Sequence, residues 1–145
     1  MKYILFVLSL ACSSIAVAQK ENDLLGKQFY RADKKAAVCF YKGENGYEAR
    51  TIWLMYPLDK KTGKPRTDKY NPDISKRSTP LIGLSVMYNL KYQNNSWIGE
   101  AYHPAHGLTA QVELSLTKDG NLKVTGRKWG ITKSEIWEKV EKNLQ

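Results

Sequence analysis

The two histidines of the chain, His103 and His106, stand three residues apart in the segment His103-Pro-Ala-His106. Neutral imidazole is a common metal ligand and a common catalytic base, so this pair could begin a metal site or an active site. A metal site needs a third and usually a fourth ligand, and no carboxylate follows at a recognisable spacing. No serine or cysteine motif accompanies the pair. We expect a tight turn between two strands here, with no metal.

Two carboxylates, Asp68 and Asp73, flank Asn71 and Pro72. Paired carboxylates can act as general acid and base. Asp and Asn beside a proline also fix turns, because their side chains hydrogen-bond to the local backbone. Asp73 is placed to cap a short helical turn over residues 74–77. We favour the structural role for all four residues, as landmarks of a loop, and predict that the protein is not an enzyme.

Cysteine chemistry has little support in the sequence. Cys39 lies in the apolar run Ala36–Tyr41, where a small buried hydrophobic residue is the expected role. The other cysteine, Cys12, could be lipidated in an exported lipoprotein. Lipoprotein signals usually have Leu three residues before the cysteine, and Ser9 stands there, so lipid anchoring is the less favoured interpretation.

Residues 1–18 are predicted to form a signal peptide. Lys2 supplies the positive charge, residues 3–11 the apolar core, and small residues precede a cleavage site after Ala18. The apolar core is too short to span a bilayer as a mature helix. We therefore expect an exported protein, periplasmic or secreted, whose residues 19–145 form one domain.

The chain is basic, with 23 Lys and Arg against 14 Asp and Glu and a net charge of +9. Such a charge attracts anionic partners. An exported protein rarely meets nucleic acid, so an anionic envelope lipid surface or an acidic ligand is the expected partner. Residues 59–77 hold seven basic and three acidic side chains. We predict that a basic rim of ligand-binding residues lies in this loop: Lys60, Lys64, Arg66, Lys69 and Arg77.

Apolar residues recur at every second position along most of the chain, which is typical of strands with one buried face. Asn-Gly, Asn-Asn and Asp-Gly pairs mark hairpin turns between them. The predicted strands are residues 28–32, 36–41, 47–55, 82–90, 97–102, 108–116, 122–125 and 134–140. Short helical segments are expected at 21–25 and 138–144. The fold class is all-β, with a sandwich as the alternative to a single antiparallel up-and-down β-barrel of about 8–10 strands.

The interior of a barrel of this size is either filled by side chains or holds one small ligand. Because core and cavity walls use the same residue types, the composition leaves both options open. We predict that the cavity of a hollow barrel is lined by residues from five strands and one turn: Phe40, Trp53, Met55, Leu84, Val86, Tyr88, Trp97, Val112, Leu114 and Trp129.

Spaced motifs over residues 26–140 resemble an exported bacterial family, the domain of unknown function numbered 2147. The resemblance implies a lipocalin-like, calycin-type β-barrel. His103, Ala110 and Phe29 depart from the family pattern, which tends to have an acidic residue, an aromatic residue and a Trp at these places. The motifs are Asp68-x-x-Asn71-Pro72-Asp73, Arg77-x-x-Pro80-Leu81-x-Gly83-Leu84, Trp97-x-Gly99, Tyr102-x-Pro104, Gly107, Asp119-Gly120-x-Leu122-x-Val124-x-Gly126 and Trp137.

Our leading hypothesis is an exported barrel that binds a small hydrophobic or amphipathic ligand resembling a fatty acid, without a cofactor. The alternative is a cell-envelope interaction protein with a filled barrel, whose basic face meets anionic lipid, peptidoglycan or a partner protein. An enzyme would require at least two of Asp68, Asp73 and the two histidines to converge on one pocket.

Overall fold

Eight antiparallel strands form a closed barrel in the computed structural model, which describes residues 19–144. Each strand pairs with the next along the chain, and β1 pairs with β8 to close the barrel. The predicted up-and-down barrel is confirmed. The predicted signal peptide and Cys12 lie outside the described residues. The strands are β1 (Gln28–Tyr30), β2 (Ala36–Gly43), β3 (Gly46–Leu54), β4 (Ser85–Gln93), β5 (Ser96–His103), β6 (Leu108–Leu116), β7 (Leu122–Lys128) and β8 (Ile131–Lys139).

Alternation along β6 shows how the sequence builds the wall. Val112 and Leu114 are buried on the inner face of the strand, whereas Gln111, the residue directly before Val112, is exposed. Leu114 pairs with Trp97 of β5 and with Val124 of β7, so the apolar positions of three strands share the inner face. Directly paired residues lie on the same face of a sheet. The apolar residues at every second position of one strand therefore pair with those of its neighbours, and together they form the interior of the barrel.

A register shift in β3 reverses the alternation near its end. The pairing with β2 skips Ile52, as in a β-bulge, so Leu54 faces the interior. Trp53 packs on the outer surface, edge-on to Tyr30 at a centroid distance of 5.7 Å. Met55 follows the end of the strand and is 44% exposed. The prediction that Trp53 and Met55 line the interior is therefore wrong.

A second irregularity lies in β4, where Asn89 has a φ of 54° and the pairing with β5 shifts. Met87 and Leu90, on either side of it, are both buried. Tyr88 lies outside the cavity, with its hydroxyl oxygen 3.4 Å from Oγ1 of Thr109. The predicted inward position of Tyr88 is wrong, because the bulge interrupts the period of two.

One end of the barrel, which we call the closed end, is covered by a 3₁₀ turn, η1 (Glu21–Leu24). Trp97 donates from Nε1 to the carbonyl oxygen of Glu21 at 2.9 Å, and Tyr47 hydrogen-bonds to Asn22. Side chains fill this half of the interior. The fully buried residues in it are Leu24, Phe29, Phe40, Leu90, Trp97, Leu114 and Leu122.

The opposite end, which we call the open end, carries the long connection between β3 and β4, residues 55–84. This segment, the 55–84 loop, contains a second 3₁₀ turn, η2 (Ile74–Lys76), and isolated bridges that pair Leu58 with Pro65 and Thr67 with Pro80. The helical segment predicted at 138–144 is not found, because β8 continues through Lys139. No helix of the described chain has the length and apolarity needed to cross a membrane.

Candidate functional site

A cavity of about 800 Å³ occupies the open half of the barrel. Two of the predicted lining residues, Val86 and Val112, are in its wall. The barrel is thus filled at the closed end and hollow at the open end. The two interiors left open by the sequence, one filled by side chains and one that holds a ligand, each describe one half of the barrel. The larger apolar residues of the wall include Val38, Leu54, Val86, Met87, Val112, Val124 and Trp137.

Small residues on inner-face positions leave this space. Ala36, Ala101, Ala110 and Gly126 lie on four different strands and all line the cavity. A Cβ placed on Gly126 would come no closer than 4.0 Å to any heavy atom beyond its two chain neighbours. The closed half has Phe, Trp and Leu at equivalent inner positions, so side-chain volume decides which half is hollow.

The other predicted lining residues lie elsewhere. Phe40, Trp97 and Leu114 are fully buried in the filled half, and Leu84 packs against the same core. Trp129 is 79% exposed in the turn between β7 and β8. The alternation of apolar residues shows which positions face the interior, but not how far along the barrel axis they lie. For this reason Phe40, Trp97 and Leu114 are predicted as cavity walls although they lie in the filled half.

A histidine and an arginine meet at the mouth of the cavity. His103 is the last residue of β5, and Arg31 follows β1; both line the cavity. Their atoms Nε2 and Nη2 are 3.2 Å apart. Arg31 also forms a salt bridge of 3.7 Å with Asp33, and the ring of His106 stacks on His103 at 4.8 Å between centroids.

The charge state of His103 follows from these contacts. Burial, then the neighbouring Arg31 and His106, lower its pKa below 6.5, and the weaker effects of its own backbone and of Asp33 oppose the shift without reversing it. A guanidinium can only donate, so Nε2 accepts from Arg31 and the ring proton of the neutral form sits on Nδ1. Nδ1 is buried and has no hydrogen-bond partner among residues 19–144. The mouth therefore holds a buried N–H donor that needs an acceptor.

Further charges surround the mouth. Lys35, Arg66 and Lys133 line the cavity together with Glu135. Glu135 accepts from Nε1 of Trp137 at 2.6 Å. Lys133 forms no ion pair within the part of the chain that the structure describes. Basic groups thus outnumber acidic ones around the opening.

Only Arg66 of the predicted basic rim lines the cavity, and it donates from Nη1 to the carbonyl oxygen of Tyr56 at 3.2 Å. Lys60 and Lys69 lie over the rings of Tyr56 and Tyr70. Arg77 donates from Nε to the carbonyl oxygen of Asn71 at 2.8 Å, and Lys64 is exposed. These four residues do not line the cavity.

The loop landmarks hold the 55–84 loop together. Asp68 is fully buried and accepts hydrogen bonds of 2.7 Å from the hydroxyl of Tyr102 and from Nδ2 of Asn71. Asp73 caps η2 by accepting from the backbone N–H of Ser75. Pro72 packs next to Gly107, since its Cδ would lie 3.5 Å from a Cβ added to that glycine. The two carboxylates do not line the cavity, so they do not converge with the histidines there. Across residues 19–144 no three His, Cys, Asp or Glu side chains are grouped to hold a metal.

Arg31, His103, Lys133 and Glu135 were missed as mouth residues. Each continues the inner-face period of two along its strand. Arg31 follows Phe29, and His103 follows Ala101. Glu135 and Lys133 precede Trp137 by two and four residues. Counting the period past the last apolar residue would have found them. Charged residues at the ends of inner-face patterns are therefore a usable signal for a barrel mouth.

Two comparisons place this barrel among known proteins. The model of a family described as "Uncharacterized protein conserved in bacteria (DUF2147)" matches residues 26–139. The chain belongs to this family. The resemblance inferred from the motifs around Asn71 and Gly107 is thereby confirmed. No curated protein matches the chain.

A solved structure carries a similar fold. It is protein HP1028 from Helicobacter pylori, described as belonging to the lipocalin family. The two chains are 25% identical, superpose with a TM-score of 0.64, and the match covers 81% of this chain and 83% of the other. This DUF2147 protein therefore has a lipocalin-like barrel.

Proposed function

We propose that the protein is exported and binds a small amphipathic molecule with an acidic head group, such as a fatty acid, in the open half of its barrel. The observation that carries the proposal is the mouth of the cavity, where Arg31 and the unpartnered Nδ1–H of His103 stand above apolar walls. A volume of about 800 Å³ lies in the range of small-molecule sites. The lipocalin-like fold is compatible with this use.

The head group has a specific place in this proposal. A carboxylate at the mouth would accept from Nδ1 of His103 and from the guanidinium of Arg31, which has five N–H donors and so keeps free ones beside its contacts with His103 and Asp33. Asp33 is 3.7 Å from Arg31, which is long for a hydrogen-bonded ion pair. Lys133 would add attraction without a fixed geometry.

The alkyl tail would lie between the strands, against residues such as Val86, Val112 and Val124. Burial of each methylene contributes about 0.8 kcal/mol, so the tail supplies most of the affinity and the head group sets the orientation. The proposed role is binding alone.

The test is displacement of a fluorescent fatty-acid analogue from delipidated residues 19–145. Three competitors share one alkyl chain and end in a carboxylate, an alcohol or an amine. The carboxylate should compete best and the amine worst. Arg31→Gln should weaken the carboxylate by about tenfold and leave the alcohol nearly unchanged. Failure of all three competitors, together with no co-purifying lipid by native mass spectrometry, would refute the proposed function.

Export is tested separately. Cell fractionation followed by N-terminal sequencing should find a chain that begins at Gln19. A mature protein that begins at Cys12 would show lipid anchoring instead, and a cytoplasmic chain that begins at Met1 would refute export.

A further inference from the structure

The hairpin of β7 and β8 presents two apolar side chains to solvent at its tip. Trp129 is 79% exposed and Ile131 is 68% exposed. Val124 and Gly126 of β7 line the cavity, and β7 runs from them towards the opening. This hairpin tip, residues 128–131, therefore projects beside the cavity mouth at the open end.

The backbone makes Trp129 an unexpected residue here. Its φ is 50° and that of Gly130 is 75°, as in a two-residue hairpin turn of type I′. Asn is preferred at the first position of such a turn, whereas a bulky side chain is strained in the left-handed region. The pair Asn-Gly would adopt this turn with less backbone strain. Trp129 thus costs conformational energy and exposes apolar surface, which points to a role outside the fold.

The ring of Trp129 is held in place by its neighbour. The ammonium of Lys128 lies 4.8 Å from the ring centroid and also donates to the backbone carbonyl of Thr109 on β6. The tip therefore presents an aromatic ring and a cation side by side, next to Ile131. Tryptophan and basic residues together are the side chains that favour the interface of a lipid bilayer.

Apolar exposure is concentrated at the same end of the barrel. Nine of the eleven large apolar side chains that are exposed in residues 19–144 lie at the open end, and only Leu25 and Ile136 lie elsewhere. Exposed apolar groups gathered at one end indicate a contact surface. The nine are Met55, Tyr56, Leu58, Tyr70, Ile74, Ile82, Leu108, Trp129 and Ile131.

The two ends also differ in charge. The segments that join strands at the open end, residues 31–35, 55–84, 104–107 and 129–130, hold ten basic and four acidic side chains. The described segments at the closed end hold four basic and five acidic ones. A positive, apolar end is complementary to an anionic bilayer and repels a second copy of itself.

We propose that the open end docks on an anionic lipid bilayer, with Trp129 and Ile131 inserted at the level of the head groups. Docking would hold the cavity mouth against the surface from which an amphipathic molecule leaves or enters a membrane. The proposal rests on the hairpin tip and the charge distribution and does not require the proposed ligand.

The test is co-sedimentation of residues 19–145 with vesicles, since the apolar residues 3–11 would bind lipid by themselves. Vesicles of phosphatidylcholine are compared with vesicles containing phosphatidylglycerol. We expect binding to the anionic vesicles, weakened by salt, with a blue shift of tryptophan emission. Trp97 and Trp137 are buried, and Trp53 packs edge-on to Tyr30 on the barrel wall, so the shift would come mainly from Trp129.

The variant pair Trp129→Asn and Ile131→Thr should lower the vesicle partition coefficient at least tenfold while leaving the fold intact, because Asn suits the turn and Thr suits a strand. Ile136→Thr is the matched control, since Ile136 lies on the same strand and is 45% exposed on the barrel wall; it should bind like the wild type.

Absence of wild-type binding to anionic vesicles, or equal binding by the double variant, would overturn the proposal. A wild-type dimer in solution that the double variant converts to a monomer would also overturn it, by assigning the tip to a contact between copies. Gly126→Phe, which fills the cavity, should keep vesicle binding, so failure of the ligand proposal can be told apart from failure of this one.

Discussion

The hydroxyl of Tyr102 donates to Oδ1 of Asp68 at 2.7 Å, and this bond ties the 55–84 loop to the wall of the barrel. Tyr102 belongs to β5, one residue before His103, whereas Asp68 is buried at the centre of the loop. The second oxygen of Asp68 accepts from Asn71 within the same loop. The pair thus fixes the position of the loop beside the cavity mouth.

Tyr102→Phe should destabilise the protein by about 1–3 kcal/mol, because it leaves one oxygen of a fully buried carboxylate without its donor. Urea denaturation measures the loss, and limited proteolysis should cut the 55–84 loop faster. Tyr88→Phe is the control, since its hydroxyl makes only a 3.4 Å contact. Equal stability of the two variants would contradict the assigned role.

High pH should act on the same bond. Burial, followed by the hydrogen bond to Asp68, raises the pKa of Tyr102 to about 12 from 10.0. The folded state favours the neutral phenol, so its contribution to stability is complete below pH 10 and is lost as the pH rises towards 12. Tyrosinate absorbance should include a late-ionising group that is missing in Tyr102→Phe. Identical titrations would contradict this.

Binding of an anionic ligand should strengthen as the pH falls through the mildly acidic range. Burial and Arg31 lower the pKa of His103 in the free protein, whereas a bound anion would favour the protonated ring. Binding then takes up a proton, which changes the affinity by at most about tenfold per pH unit. An alkyl sulfonate, which stays charged, should be titrated calorimetrically between neutral and mildly acidic pH.

The controls for this pH dependence are His103→Gln and His106→Gln. The first should flatten the profile because it removes the buried titrating group. His106→Gln should keep most of the pH dependence of binding, since His106 is exposed and affects the site mainly by stacking on His103. A steep profile that persists in His103→Gln would assign the proton uptake to another residue.

The barrel itself was predictable from the sequence because the signal is repeated in every strand. All eight predicted strands are present, and the turns at Asn94-Asn95 and Asp119-Gly120 fall between them. The first hairpin turns one residue earlier than the Asn-Gly pair, at Glu44-Asn45, because Gly46 already belongs to β3. The wrong predictions about the strands concern which face a residue occupies, and they lie at the irregularities near Ile52 and Asn89, where the alternation is interrupted. A bulge is set by the pairing with a neighbouring strand, and the sequence of one strand does not contain that information.

The site was less predictable for a related reason. Which half of the barrel is hollow depends on small residues, such as Ala101, Ala110 and Gly126, that lie on different strands and meet only in the closed barrel. The long basic segment drew attention to Lys60 and Lys64, yet the cavity mouth is formed mainly by Arg31 and His103. Net charge along a segment is visible in the sequence, but the direction of each side chain is not.

Gly126→Phe should abolish ligand binding and leave the protein folded. The new side chain would enter the cavity, and the backbone near Gly126 leaves room for a Cβ. We expect at least about a tenfold loss of affinity, with stability unchanged or increased because an aromatic residue suits a strand better than glycine. Thr132→Phe places the same side chain on the outside of β8 and should bind normally. Loss of binding in both variants would point to a general defect.

Gly107→Ala should destabilise the protein far more than Gly130→Ala, although both glycines have positive φ, 62° and 75°. A Cβ on Gly107 would clash with the carbonyl oxygen of Tyr70, because the 55–84 loop packs directly on the turn between β5 and β6. A Cβ on Gly130 would meet nothing within 4 Å, so that variant suffers only the backbone strain, about 1 kcal/mol. Thermal denaturation should show the difference, and hydrogen exchange in the Gly107 variant should increase in residues 66–72. Similar losses in the two variants would mean that the loop does not rest on this turn in solution.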